Sequence, residues 1–391
     1  MSARPVAVVG GGIAGASVAY HLAARTDRPV VVYERGALAG ETTARSAAFF
    51  GFYGSDLERR LKRYGMALYN DLLAAPRSDA YHDLVGRLRV ATTPDGAARL
   101  EERRDATPDD AMLTYRPGAA LPERVFCPEL DADSVAGATY RPQVGYHRPQ
   151  ALARELGTRA REAGVTVETG TPVTDVVVED DRVRELVVDG ERRSEAVDVA
   201  AVVCAAGPWN PSVCRLAGLD PPVSHSRAPV LELERPAPAT HTLPIVSHVG
   251  TGVYARGHGD DAVLVGHYPG SPDAEAEYDP DAVADRVGTE RREEMRAVLA
   301  DLLPPLADAP VRDEWVGVRS HTPDGHPIAG WTGIEGLSIV AFDSSGIQLS
   351  PALGRLVATQ LVDGTPTDEH DALSITRFDG YGEQRLSLDE V

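Results

Sequence analysis

The segment GGGIAGASVAYHL, residues 10–22, follows the apolar run Val6-Ala7-Val8-Val9 and opens an alanine-rich stretch. Three of its glycines are spaced Gly10-x-Gly12-x-x-Gly15. The run before them reads as a short buried strand, and residues 13 to 24 read as a helix of small residues. A second strand, Pro29-Val-Val-Val-Tyr-Glu34, completes a βαβ unit and ends on an acid 19 residues after Gly15. In that context each glycine relieves a different steric problem. The first makes the tight turn, Gly12 admits a pyrophosphate to the backbone, and Gly15 lets helix and strand approach. The helix amino end carries unpaired N–H groups and a partial positive charge, which suit phosphate. Glu34 is placed to accept hydrogen bonds from a ribose. The unit therefore points to a dinucleotide, the alternative being a tight turn of purely structural use.

Length and composition bound what surrounds this unit. A chain of 391 residues fits two domains, or one elaborated α/β unit with an insertion. Acidic residues outnumber basic ones 59 to 39, giving a net charge of −20. Such a charge repels nucleic acid and anionic membrane surfaces, so neither is expected as a partner. Lys62 is the one lysine, a bias that fits adaptation to high salt or a GC-rich genome equally well. Cys127, Cys204 and Cys214 form neither a CxxC pair nor an even disulfide set. They fit a reducing, cytoplasmic setting, and no zinc or other metal site is expected. No secretion signal is recognisable, and no segment approaches the roughly 18–20 apolar residues of a membrane span.

Along the chain, Gly40-Glu-Thr-Thr-Ala-Arg-Ser46 reads as a loop entering a further helix, and residues 56 to 75 carry helical spacing. From about 81 to 137 short strands and proline-rich loops suggest an insertion. Residues 150 to 163 read as a helix, 164 to 168 as a strand and 173 to 188 as a hairpin about Asp180-Asp181. A buried strand, 199 to 206, runs into Gly207-Pro208-Trp209. Residues 216 to 280 are rich in strands and loops, 281 to 303 read as a charged helix, and the acidic stretch from 363 onward reads as surface or partly ordered. Ser350-Pro351 reads as the N-cap and first position of a helix reaching about Val362. Hydroxyls at Thr42 and Thr43 either cap a helix or contact phosphate, and Arg45 adds a charge that capping does not explain.

In order along the chain stand Gly10-x-Gly12-x-x-Gly15, Glu34-Arg35, Arg45-Ser46-Ala47-Ala48 and Ala205-Ala206-Gly207-Pro208-Trp209. "GVRSHTPDGHPIAG" at 317–330 and "SSGIQLSPALG" at 344–354 complete the set. Together they resemble the D-amino-acid oxidase superfamily of FAD-dependent amine oxidoreductases, which includes glycine oxidase, sarcosine oxidase and the D-amino-acid dehydrogenases. "RSAAFFGFYG" and "GIQLSPALG" are most similar to the D-arginine dehydrogenase group. The resemblance implies an α/β fold: a discontinuous Rossmann-type FAD-binding domain (1–80, 138–215, 316–372), a β-rich α+β substrate-binding domain (81–137, 216–315) and an acidic tail (373–391). It implies non-covalent FAD held by Gly10, Gly12, Ile13, Ala14, Gly15, Glu34, Arg35, Thr42, Thr43, Arg45, Ser46, Ala47 and Ala48. Val173, Ala206, Gly207, Trp209, Gly346, Ile347 and Gln348 complete that implied set.

For the substrate the resemblance implies Arg319 as the guanidinium fork for a carboxylate, Tyr254 as its partner and Tyr53 beside them. The resemblance also implies Gly346 against the flavin, and it matches Arg227 less closely to a further arginine of the site. Two departures stand out. Phe49 and Phe50 replace an active-site histidine, and Arg87 stands where the group has the acid that selects cationic side chains. Arg87 and Arg89 alternate onto one strand face, which is either solvated or turned into the pocket. The implied reaction is hydride transfer from Cα of a small D-amino acid to flavin N5, with imine hydrolysis to a 2-oxo acid. The electrons pass to O2, a quinone or another carrier. N-methyl amino acid oxidation and a flavin-binding module without turnover are the other readings, and the oligomeric state stays open.

Overall fold

The computed structural model describes residues 3–74, 82–105, 114–117, 127–190, 194–236, 241–268, 279–378 and 380–381. A six-stranded sheet has the order Ile328–Trp331, Leu337–Ala341, Ala201–Cys204, Val6–Val9, Val30–Glu34, Thr166–Thr169. Neighbours run parallel except at the first pair, which is antiparallel. Val6–Val9 and Ala201–Cys204 are buried along their whole length, as expected of central strands covered on both faces. The turn after the first strand leaves no room for side chains. Gly10 has φ +107°, and a Cβ on Gly15 would stand 1.8 Å from the Gly10 carbonyl oxygen.

The first helix, Ile13–Ala23, packs on a long carboxy-terminal helix, Gly346–Asp363. Ser17 Oγ donates to the Ser350 carbonyl at 2.8 Å across that contact. The second helix begins earlier than its sequence suggests: Gly346 opens it, and Pro351 lies inside it. Proline has no N–H for the Ile347 carbonyl four residues back, and the Tyr69 hydroxyl donates to that carbonyl instead. Ser350 Oγ, expected to cap, turns back and donates to the Gly346 carbonyl at 2.6 Å. A side-chain donor from another helix thus lets the proline move from the first turn into the interior.

An eight-stranded sheet forms the second body, ordered Val311–His321, Ser224–Glu234, Ala262–His267, Val253–His258, Ile245–His248, Arg87–Ala91, Gly137–Arg141, Thr114–Pro117. All its pairs are antiparallel except Ile245–His248 with Arg87–Ala91. One face carries Leu88, Val90, Val253, Ala255, Leu231, Val263 and Val265 onto the helices Thr289–Leu302 and Pro304–Ala307. By the period of two, Arg87, Arg89 and Tyr254 belong to the other face. A small antiparallel sheet of Phe49–Gly51, Val144–His147 and His82–Leu84 stands beside it.

Several elements differ from their sequence reading. Strands Gly137–Arg141 and Val311–His321 belong to the eight-stranded sheet, so boundaries at 138 and 316 cut through strands. Pro94–Asp105 is a helix within the stretch read as strands and loops. The charged helix starts at Thr289, after Gly288 at its N-cap. The stretch after 363 is not all surface: Asp368–Leu373 is a helix, and His370, Leu373 and Ile375 are buried. Its charges face outward while three spaced residues anchor it, a pattern too short for periodicity to reveal. Residues 382–391 of the expected tail lie outside the described residues. The Asp180-Asp181 hairpin forms, with φ of 51° and 57°, the left-handed pair of a two-residue hairpin turn. No helix among the described residues is long and apolar enough to cross a membrane.

Replacing Tyr69 by phenylalanine keeps the ring and removes the donor to the Ile347 carbonyl. A buried acceptor left without a partner costs about 1–3 kcal/mol. Urea unfolding of Tyr69→Phe is expected to show a loss of that size; an unshifted midpoint would show that Pro351 needs no compensation.

Candidate active site

One cleft of about 870 Å³ runs from the carboxyl ends of the parallel strands to the cleft-facing side of the eight-stranded sheet. Open α/β sheets bind ligands at that end. Gly10, Gly12, Ile13 and Ala14 line it from the first turn, Glu34 and Arg35 from the end of the next strand. Glu34 is 8% exposed, and the Gly11 and Gly36 amides donate to its two oxygens at 2.6 and 2.7 Å. Backbone donors thereby fix the carboxylate as an acceptor beside the turn. Arg35 forms a two-pronged pair with Asp281 at 3.0 and 2.7 Å and lies 4.2 Å over the Trp209 ring. Trp209 Nε1 donates to the same Asp281 at 3.0 Å. Val173, Ala206 and Gly207 line this end as well.

The segment 40–48 crosses the middle of the cleft, where Thr42, Thr43, Arg45, Ser46, Ala47 and Ala48 all line it. It enters no helix of its own: it leads into the strand Phe49–Gly51. Thr43 caps the first helix instead, accepting from the Ile13 amide at 3.0 Å. Two helices begin on the cleft, at Ile13 and Gly346; neither N-cap residue, Gly12 or Ser345, supplies a capping side chain, and neither first turn holds an acid. Their positive ends are left for a ligand. Ala48 and Ser345, also on the cleft wall, hold φ of 54° and 56°, which few residues with a Cβ adopt.

At the far end Arg319, Tyr254, Tyr53, Arg87, Gly346 and Ile347 share the cleft. Arg319 donates to Asp343 Oδ1 at 3.1 Å and lies 4.4 Å over the Tyr268 ring. His321, 5% exposed, contacts Asp343 Oδ2 at 3.6 Å and Ser226 Oγ at 2.7 Å. Burial pushes the Asp343 carboxyl upward, but the neighbouring His321 and Arg319 outweigh it and hold the group below its ordinary value. Tyr254 is 5% exposed, and burial pushes its phenol up to about 12. The Phe49 ring meets it edge-on at 4.9 Å, so the residue standing for a histidine serves as apolar packing. Tyr53 lies between Lys62 Nζ, 4.7 Å from its ring, and Arg141, 4.9 Å from it. Lys62 itself is buried and donates to the Tyr53 carbonyl at 2.7 Å.

Three expected residues lie off the cleft wall. Gly15 is spent on the close helix approach described above. Gln348 is fully buried one position past the wall, where its Oε1 accepts from the Gly51 amide at 3.1 Å. Arg227 is exposed, while Ala228 and Val230 of its strand line the cleft; the pleat turns it away. Arg89, Arg103, His267, Tyr268, Asp281 and Asp343 also line it. Alternation with Arg87 identifies Arg89 from sequence, but the others depend on loop paths with no local signature. Among the described residues no cluster of His, Cys, Asp or Glu has the makings of a metal site. None of the three cysteines lines the cleft.

The donor set fits FAD. An anchored acid stands where ribose hydroxyls need an acceptor, and a helix start free of acids where a pyrophosphate needs N–H groups. A Cβ on Gly12 would stand 3.2 Å from Thr43 Oγ1 and crowd the space between turn and threonine loop. A family model described as "FAD dependent oxidoreductase" matches residues 5–360. The chain is 27% identical over 391 residues to 4-methylaminobutanoate oxidase (formaldehyde-forming) of Paenarthrobacter nicotinovorans, covering 97% of this chain and 46% of that protein. It is 25% identical over 387 residues to glycine oxidase of Geobacillus kaustophilus, covering 96% and 97%. It spans about half the length of the curated relatives it matches first. In fold it matches L-proline dehydrogenase from P. horikoshii with TM-score 0.81, 19% identity and coverage of 97% and 98%. A glycine-rich turn, an anchored acid beside it and a match over most of the chain converge: the protein belongs to the DAO family of FAD-dependent oxidoreductases, and its cofactor is FAD.

Proposed function

We propose that this protein oxidises the amine of a small amino acid, with a D-amino acid as the first candidate. The observation that carries the reading is the meeting of Arg319, Tyr254 and Tyr53 with the Gly346–Ile347 helix start in the cleft that holds the dinucleotide turn. Bound FAD supplies the acceptor for a hydride from the carbon beside nitrogen. The chain's own contribution is to orient that carbon. Arg319 presents a planar fork suited to a carboxylate. Asp343 holds the fork in place until a substrate carboxylate joins or replaces it. The Tyr254 hydroxyl, kept neutral by burial, donates a hydrogen bond across the working pH range. Phe49, Ala48 and Ile347 give the reacting end an apolar wall that limits water.

Oxidation of an N-methyl amino acid is the second reading, supported by the name of the formaldehyde-forming relative. Products distinguish the two: ammonia with a 2-oxo acid in one, formaldehyde with a primary amine in the other. Lys62, the sole lysine, is occupied behind Tyr53 rather than on the cleft wall. That placement supports slow reaction of the reduced protein with O2 and transfer to a quinone or another carrier.

Anaerobic mixing with a panel of D-amino acids and N-methyl amino acids is expected to bleach the visible flavin band with at least one of them. A band that no amine bleaches would leave only a flavin-binding role. Arg319→Ala is expected to weaken binding of simple carboxylates by something on the order of 2–5 kcal/mol, because it removes one member of a desolvated charge pair. Unchanged affinity would take Arg319 out of the site. Asp343 also makes a pH prediction. Its folded value is depressed, so the stability it lends is present above its ordinary value of 3.8 and is lost as pH falls through the folded value. Urea midpoints measured on the acid side should fall less steeply in Asp343→Asn than in the wild type; parallel profiles would contradict the pairing with Arg319 and His321.

A further inference from the structure

Beyond Tyr254 the cleft-facing side of the eight-stranded sheet is paved with arginine. Arg87 and Arg89 alternate with the core residues Leu88 and Val90 on one strand. Arg141 stands directly opposite Arg87 on the neighbouring strand, off the wall of this cleft and on that of a smaller pocket that also borders Tyr53. Arg103 reaches the cleft wall from the helix Pro94–Asp105. Like charges placed opposite one another across a sheet are destabilising, so this arrangement works against the fold. The protein elsewhere pairs its cleft arginines with acids: Arg35 with Asp281, Arg45 with Glu41, Arg319 with Asp343.

Here it does not. Among the described residues no carboxylate forms an ion pair with Arg87, Arg89 or Arg141. Arg87 Nε donates to the neutral Ser247 hydroxyl at 3.1 Å, and its guanidinium carbon lies 5.5 Å from the Phe49 ring. Arg141 lies 4.9 Å over the Tyr53 ring. Aromatic faces hold these cations in position without neutralising them. Burial, and then the charges of Arg103, Arg87 and Arg141, push the half-buried Arg89 guanidinium down to about 10. All this stands in a chain of net charge −20, where acids to pair with are plentiful.

We propose that Arg87 and Arg89, with Arg141 behind Tyr53, form an anion subsite that takes a second carboxylate of the substrate. On this view the substrate is a dicarboxylic amino acid or its N-substituted equivalent. The inference rests on the amine-oxidation reading above and adds the chemical class of the side chain. Arg319 with Tyr254 takes the carboxylate next to the reacting carbon, and the arginine wall takes the distal one. Guanidinium forks match carboxylates in two-bonded geometry, and a site built for a charged partner rejects the neutral amide of the same shape. The wall also excludes cationic side chains by direct repulsion.

The test uses the FAD-loaded protein and two probes of one shape, glutarate and its monoamide glutaramate, titrated against the flavin spectrum. Glutarate is expected to bind at least about tenfold more tightly, the size of one charge-assisted hydrogen bond. Arg87→Gln/Arg89→Gln should bring the ratio of the two affinities toward one. In turnover, D-glutamate should exceed D-glutamine in kcat/KM, or the N-methyl acid its N-methyl amide, by a similar factor. Equal binding of the two probes by the wild type overturns the inference, and so does a ratio that survives the double substitution. If the double variant does not fold, the wild-type ratios decide alone. Two mixed results separate this inference from the reading it rests on. Glutarate preference with no amine bleaching the flavin retains the anion subsite and ends the amine-oxidation reading. Bleaching by D-glutamine as readily as by D-glutamate, with equal probe binding, does the reverse.

Discussion

The contact between the first helix and the long carboxy-terminal helix is the constraint on which the rest of the structure depends. A Cβ on Gly354 would stand 2.4 Å from Ser17 Oγ and 2.8 Å from the Ser17 carbonyl carbon, so the two backbones meet almost directly. This contact joins segments more than three hundred residues apart, and Ser17 bonds the Ser350 carbonyl across it. Because both helices start on the cleft, their packing fixes how far apart two positive helix ends stand. One end suits a pyrophosphate, and the other suits an electron-rich ring edge at the reacting end of the same cofactor. Glycine is needed at the contact for reach, and Tyr69 is needed beside it because Pro351 leaves a carbonyl without its helical donor.

The second sheet supplies chemistry in a different way. Its core-facing side is a regular apolar layer, which leaves the alternate positions free of packing duties. Those positions carry Tyr254, Arg87 and Arg89. Burial keeps Tyr254 neutral, whereas Arg319 is steadied by Asp343, which His321 and Ser226 steady in turn. The same part of the cleft therefore holds a compensated cation, Arg319, and two, Arg87 and Arg89, that pair with no carboxylate among the described residues. Ala48 and Ser345, both held in the left-handed region, lie on the wall of the same space.

What could be read from the chain alone was whatever depends on near neighbours. The βαβ turn and the Asp180-Asp181 hairpin are short-range patterns, each with one steric or hydrogen-bonding cause, and each stands as read; Glu34 ends its strand beside the turn as the spacing requires. Alternation likewise put Arg87 and Arg89 on one face. The tertiary structure alone decided which way that face turned, because a pleat has two sides and only the packing of Leu88 and Val90 selects one. It turned Arg227 outward by the same rule and made Thr43 the cap of a helix thirty residues earlier in the chain. It moved the start of the last helix to Gly346 through a tyrosine that no local rule connects to Pro351. Asp343 and Asp281 came to the cleft for the same reason. Partners brought together by folding are chosen by three-dimensional closeness, for which a one-dimensional pattern carries no signal.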